Sequence, residues 1–127
     1  MIADTVFDNC LSLKKFIFFS DITYGSSALS IPSLEIAGDI DTIQSKMFQQ
    51  SINEEITISV PIKYIKIFTF SCCIKLRKIN FPSTLQVIEE GSFTMCKSLY
   101  SIEIPPLVTK IQSRAFSECS SLRKIIF

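Results

Sequence analysis

The chain contains no histidine and no tryptophan among its 127 residues. The missing histidines remove the usual general base of enzymes and the commonest side-chain ligand of protein-bound metals. Glycine is scarce, and the segment Gly25-Ser26-Ser27 is not followed by the G-K-[ST] of a phosphate-binding loop. The sequence therefore predicts no enzymatic activity, no catalytic residues, no metal site and no cofactor.

The chain also has no excess of positive or negative charge, since 13 basic and 12 acidic residues give a net charge of +1. Surfaces dedicated to nucleic acids or anionic membranes need clustered positive charge, so neither partner is expected. The most apolar run, FIFF at 16–19, is far shorter than the roughly 18 residues that cross a bilayer. Asp4 and Asp8 stand where a signal peptide carries positive charge, so we expect no cleavable signal. On this reading the protein is cytosolic, or the chain lacks its native beginning.

Apolar residues are abundant, at 47% of the chain against 20% charged residues, which indicates a folded protein. A chain of 127 residues corresponds to one domain with its own core, so we assign residues 1–127 to a single domain.

A motif of about 23 residues repeats along this domain. The segments FSCCIKLRKINF (70–81), FTMCKSLYSIEI (93–104) and FSECSSLRKIIF (116–127) place Phe, Cys, Leu and Ile at the same four positions. Repeats start near residues 7, 25, 48, 70, 93 and 116, and those within 1–60 are degenerate. In the second repeat, Gly25 and Ala28 replace the Phe and the Cys.

The end of each motif alternates between apolar and other residues, which is the period of a strand with one buried face. A unit this small cannot bury its own apolar side chains, but stacked copies can, with equivalent residues about 4.8 Å apart. Each fixed position then becomes a column through the core. The predicted inward pairs are Phe16/Phe18, Leu34/Ile36, Ile56/Ile58, Ile79/Phe81, Ile102/Ile104 and Ile125/Phe127.

The cysteine column allows three interpretations. Its members are all small, namely Cys10, Ala28, Ser51, Cys73, Cys96 and Cys119, which favours a tight, buried turn position. Disulfides between successive repeats are the rival, although parallel Cβ atoms would sit wider than the ~3.8 Å of a relaxed bridge. A zinc site is the third, and it is disfavoured because the spacing sets the thiols in a line rather than a tetrahedron.

Two segments, IEEGSFTMCKSLYSIEIP (88–105) and IQSRAFSECSSLRKIIF (111–127), resemble the BspA-type leucine-rich repeat, whose consensus is roughly I-x-x-x-A-F-x-x-C-x-x-L-x-x-I-x-I-P. The resemblance is strong over 62–127, with Pro82 and Pro105 in place, and weak over 1–60. It implies a β-rich α/β fold: a right-handed solenoid with a parallel sheet on the inner face and short helical turns on the other side. It also implies that the pair Val108/Ile111 adds a short outer strand.

The resemblance also carries an expectation of function. Such repeats occur in bacteria and are expanded in parasitic and commensal protists, often in surface proteins implicated in adhesion to host or matrix. A composition heavy in Ile, Phe, Lys and Ser fits a protist source. The protein is thus expected to be a non-enzymatic protein–protein interaction module that binds an unknown protein or a host or matrix surface component. The alternative is a structural spacer or fragment of a longer repeat array without its own ligand.

Outward residues between the core columns form the extended surface on which solenoids bind their partners. Tyr and Arg are enriched where binding energy concentrates. The uncapped last repeat additionally predicts a fragment or end-to-end self-association. The residues predicted to contact a partner are Arg77, Lys78, Asn80, Tyr100, Glu103, Arg123 and Lys124.

Overall fold

The computed structural model describes residues 12–13, 15–18 and 32–127. The predicted starts of the first two repeats, at Phe7 and Gly25, lie outside these residues, as do Cys10 and Ala28 of the cysteine column. The statements below refer to the described residues.

Nine short strands follow one another along this part of the chain, and all of their pairings are parallel. One group pairs in the order β1-β2-β3-β5, with β7-β9 continuing beside it, and we call these six strands the front sheet. The other group pairs in the order β4-β6-β8 and forms the back sheet. The strands are β1 (Lys15–Phe18), β2 (Ser33–Gly38), β3 (Glu55–Ile58), β4 (Tyr64–Ile65), β5 (Lys78–Asn80), β6 (Val87–Ile88), β7 (Ser101–Glu103), β8 (Lys110–Ile111) and β9 (Lys124–Ile126).

The predicted columns are confirmed where the strands stack. Ile56 pairs in register with Leu34 on one side and with Ile79 on the other, and all three side chains are buried. Phenylalanine rings stack in the same way between the two sheets: the centroids of Phe48 and Phe70 are 5.3 Å apart and their planes differ by 12°. The back sheet confirms the implied outer strand, since Ile65, Ile88 and Ile111 are in register.

The predicted register of the first pairing is wrong by two residues. The sequence pattern places Phe16 opposite Leu34, whereas the structure pairs Phe16 with Ile36 and Phe18 with Gly38. A shift of two residues keeps the same side chains on the same face of the sheet, because strand side chains alternate with a period of two. The hydrophobic pattern alone therefore does not distinguish the two registers.

The short helical turns implied by the resemblance do not form: no helix occurs among the described residues. Four segments are runs of turns instead, namely 45–50, 67–72, 90–95 and 113–118. Each run holds two residues of positive φ four positions apart, a left-handed conformation that stops an α-helix. These residues are Lys46 and Gln50, Phe68 and Cys72, Gly91 and Met95, and Arg114 and Glu118.

Hydrogen bonds between repeats explain how the turns stay regular. In the second run, the N–H groups of Phe68, Phe70 and Cys72 donate to carbonyls of the next repeat at 2.8–3.2 Å. The intervening N–H groups of Thr69 and Ser71 close local turns onto residues three positions earlier. Every second amide is thus used to join one repeat to the next, which an α-helix would not allow.

The described cysteines of the column, Cys73, Cys96 and Cys119, are buried or half-buried free thiols, in line with the small-residue interpretation and not with disulfides. The thiols of Cys73, Cys96 and Cys119 donate to the carbonyl of the preceding repeat's phenylalanine, at 3.0, 3.2 and 3.1 Å. Hydrogen bonds to Cys119 and Cys73, together with burial, raise the pKa of Cys96, so this thiol stays protonated. A weak donor that fits a small space is what distinguishes cysteine from alanine here.

Candidate functional site

Strands β3, β5, β7 and β9 of the front sheet each present two successive exposed residues where the strand starts, because the chain turns a corner there. The N–H groups of Arg77 and Lys78 both donate to the carbonyl of Glu54, at 2.8 and 3.2 Å. One repeat earlier, the N–H groups of Glu54 and Glu55 share the carbonyl of Pro32 in the same manner. Both residues of each such pair are exposed, although strict strand alternation would bury one of them.

Three of these corners lie side by side at the C-terminal end of the front sheet. Ser101 is in register with Lys124, and the N–H of Arg123 donates to the carbonyl of Tyr100 at 2.9 Å. Strand β7 also contacts β5 on its other side. The uncharged pair Tyr100-Ser101 therefore lies between two cationic pairs. We call this surface the basic patch, and it consists of Arg77, Lys78, Tyr100, Ser101, Arg123 and Lys124.

Charge is clustered on this patch, which the even spread of charge along the sequence did not reveal. Lys78 lies in register with Glu55, but no described carboxylate lies within 4.0 Å of any of the four cationic groups of the patch. The ion pair seen among the described residues lies at the other end of the sheet, where Lys15 Nζ is 3.4 Å from Glu35 Oε1. That pair depends on the shifted register and was not predicted.

Asn80 and Glu103, the remaining predicted contact residues, line a small pocket beside the patch. The Asn80 amide donates to Thr57 Oγ1 at 3.0 Å. The pocket has a volume of about 280 Å³, below the roughly 300–1,000 Å³ of small-molecule sites. Its size suits one side chain of a partner. Its walls are Ile79, Asn80, Phe81, Ser83, Glu103, Pro105 and Pro106.

The pocket lies where β5 and β7 are adjacent but are not paired in a ladder. The sequence predicted Pro105 as part of the repeat, but it gave no signal for a cleft.

The repeated motif, the parallel strands and the stacked phenylalanines together define a family. The BspA type Leucine rich repeat region matches residues 23–127 in six copies. The chain belongs to the BspA-type leucine-rich repeat family. No curated protein matches it.

Solved structures of leucine-rich repeat proteins share this fold. One from Bacteroides ovatus is 25% identical, with a TM-score of 0.66 over 91% of this chain and 31% of its own. A leucine rich cell surface protein from Faecalibacterium prausnitzii is 25% identical, with a TM-score of 0.61 over 96% of this chain and 35% of its own. A leucine-rich repeat protein from T. pallidum, at 21% identity and a TM-score of 0.53, supports the fold alone. The chain thus spans about a third of the length of the first two proteins.

The described residues contain no helix of the length and apolar character needed to span a membrane. The family and its structural neighbours are consistent with a repeat protein that acts by interaction.

Proposed function

We propose that this protein is a non-enzymatic protein-interaction module that binds its partner through the basic patch, with Asn80 and Glu103 at its edge. The observation that carries the proposal is the position of Tyr100. This side chain is 60% exposed, and it lies between the cationic pairs of the neighbouring strands. Tyrosine and arginine are the residues on which binding energy most often concentrates.

We extend the proposal to adhesion at a cell surface, with a protein or a host or matrix component as the partner. Two facts support this extension. The chain belongs to a family of interaction repeats, and one structural neighbour is a cell surface protein of Faecalibacterium prausnitzii. The stacked repeats offer an extended front sheet with exposed side chains, as extended recognition surfaces require.

A pull-down tests the proposal, with the parent chain compared against a triple variant carrying Arg77→Glu, Tyr100→Ala and Arg123→Glu. Extracts of the source organism and of a host-cell surface supply the partners, and mass spectrometry identifies them. We expect at least one protein to be recovered by the parent and lost by the variant. All three side chains are exposed, so circular dichroism should show an unchanged fold.

Lys63 and Lys110 supply the matched control, because both are exposed beside or on the back sheet. A variant with Lys63→Glu and Lys110→Glu reverses two charges, as the triple variant does, but leaves the basic patch intact. It should recover the same partners as the parent. Identical recoveries from all three baits would instead support a spacer within a longer repeat array.

We also propose end-to-end association through the C-terminal repeat. The side chains of Ile125 and Ile126 on β9 are 43% and 38% exposed, and that of Phe127, directly after β9, is 87% exposed. Apolar side chains on an open strand edge favour pairing with another chain. Light scattering should therefore show a mass that rises with concentration, and Ile126→Lys with Phe127→Lys should abolish the rise. A constant monomer mass for the parent would refute this association.

A further inference from the structure

We propose that the partner segment bound by the basic patch is acidic and extended, and that one of its carboxylates lies over Ser101 between Lys78 and Lys124. This inference rests on the proposed function and specifies the chemistry of the partner. It arises from the order of the three corners, in which an uncharged pair separates two Arg-Lys pairs.

The geometry defines a place for a single anionic group. Ser101 is in register with Lys124 on β9, and β5, which begins at Lys78, lies on its other side. The paired strands β7 and β9 are about 4.8 Å apart, and β5 is adjacent to β7 without a ladder, so the serine lies between the two lysines. The exposed Ser101 hydroxyl is a donor that can bond a carboxylate held there.

Electrostatics favours an anionic occupant. The four cationic groups of the patch have no described carboxylate within 4.0 Å, and like charges on neighbouring strands repel one another. Exposed ion pairs are individually weak, but three or four pairs of middling strength together supply a factor of about ten or more in affinity.

The dimensions favour a protein segment over a continuous polyanion. Proteins whose affinity for nucleic acid depends strongly on salt contact about 6–10 phosphates. The basic patch spans only three strands and holds four cations. Glu103 lies two residues beyond Ser101, and Glu55 is in register with Lys78, so carboxylates border the patch on two sides. A uniformly charged polymer would be repelled at these borders, but an acidic segment flanked by neutral or basic residues would not.

A peptide titration followed by fluorescence anisotropy tests the inference at low salt. The probes are a labelled peptide of about twelve residues, in which Glu alternates with Thr only in the central third and uncharged Thr and Ser residues form both ends, and a matched peptide with Gln in place of Glu. We expect the acidic peptide to bind at least about ten times more tightly, with an affinity that falls as salt is added.

Ser101→Glu gives the sharper comparison, because it places a carboxylate between the two lysines without removing a cation. We expect it to weaken binding of the acidic peptide by about tenfold or more, while Ser101→Gln, of nearly the same size, has a much smaller effect. The Lys63→Glu/Lys110→Glu variant should bind like the parent. Thermal unfolding should show that all variants remain folded.

Several outcomes would overturn the inference. They are failure of the acidic peptide to bind, equal binding of the two peptides, or no loss with Ser101→Glu. Tighter binding of heparin, single-stranded DNA or phosphatidylserine vesicles than of the peptide would assign the patch to another class of ligand. Binding of a second copy through its own acidic residues would appear as dimerisation that Ser101→Glu disrupts. That result would replace the separate partner with self-association.

The pull-down distinguishes failure of this inference from failure of the proposed function. A partner lost from the triple variant but retained by Ser101→Glu, with no salt dependence, would keep the interaction module and reject its acidic partner.

Discussion

Phe70→Ala is expected to lower the free energy of unfolding by about 3–5 kcal/mol, the typical cost of deleting a buried phenylalanine side chain. Phe70 is completely buried, and its ring stacks on Phe48 at 5.3 Å and on Phe93 at 5.2 Å. The substitution leaves a gap in the middle of the aromatic column, where neither neighbouring repeat can close it without moving its own strands. Urea denaturation followed by circular dichroism measures the loss.

Phe116→Ala is the matched control, because it removes the same atoms from the same column nearer its end. Phe116 stacks on Phe93 at 5.3 Å, but its side chain is partly exposed. Phe116→Ala should therefore lower the free energy of unfolding clearly less than Phe70→Ala does. Equal losses for the two variants, or a loss below about 1 kcal/mol for Phe70→Ala, would show that the column does not carry the stability assigned to it.

Gly91→Ala is expected to lower the free energy of unfolding by about 2–5 kcal/mol, although it adds only one methyl group. Gly91 has a φ of +60°, and a left-handed conformation costs other residues about 1–2 kcal/mol. A Cβ atom at this position would also lie 2.2 Å from Cε1 of the Phe68 ring, which must then move, at about 1–3 kcal/mol for overpacking. Urea denaturation again measures the change.

A double-mutant cycle separates the two contributions. In a Phe68→Ala background the clash is absent, so Gly91→Ala should cost about 1–2 kcal/mol, the conformational contribution alone. If Gly91→Ala costs the same in both backgrounds, the ring of Phe68 does not cover the glycine.

The sequence predicted those parts of the fold that depend on side-chain type at inward positions. Ile56, Ile79 and the stacked phenylalanines are held in columns because each must match the equivalent residue of the next repeat, and this requirement leaves a repeat in the sequence. The outer strand at Lys110–Ile111 was instead implied by the resemblance to the BspA-type repeat. Among the candidate site residues, the exposure of Arg77, Tyr100 and Arg123 was predicted because these residues fall between the columns.

The sequence did not predict features set by backbone geometry. Gly91 and Phe68 hold equivalent positions in successive turns, and the pattern gives no sign that the ring of one covers the other. Lys46 and Arg114 adopt positive φ without being glycine, so nothing in the sequence indicated that the helical turns implied by the resemblance would not form. The two-residue register shift at Phe16 left the hydrophobic pattern unchanged.

At the candidate site, too, the sequence predicted which side chains are exposed but not the features set by backbone geometry. The sequence predicted that Arg77 and Lys78 both face outward, but it did not predict the backbone arrangement in which one carbonyl accepts two successive N–H groups. The pocket between Asn80 and Glu103 depends on an unpaired boundary between two strands. Both features follow from hydrogen bonds across the repeats, which a single motif does not specify.

Hydrogen–deuterium exchange with the captured partner tests the central claim, namely that the basic patch of the front sheet is the binding surface. We expect slower exchange over 77–80, 100–103 and 123–126 in the complex, and unchanged exchange at the back-sheet strands Tyr64–Ile65, Val87–Ile88 and Lys110–Ile111. Slower exchange at the back sheet with no change over the basic patch would contradict the claim.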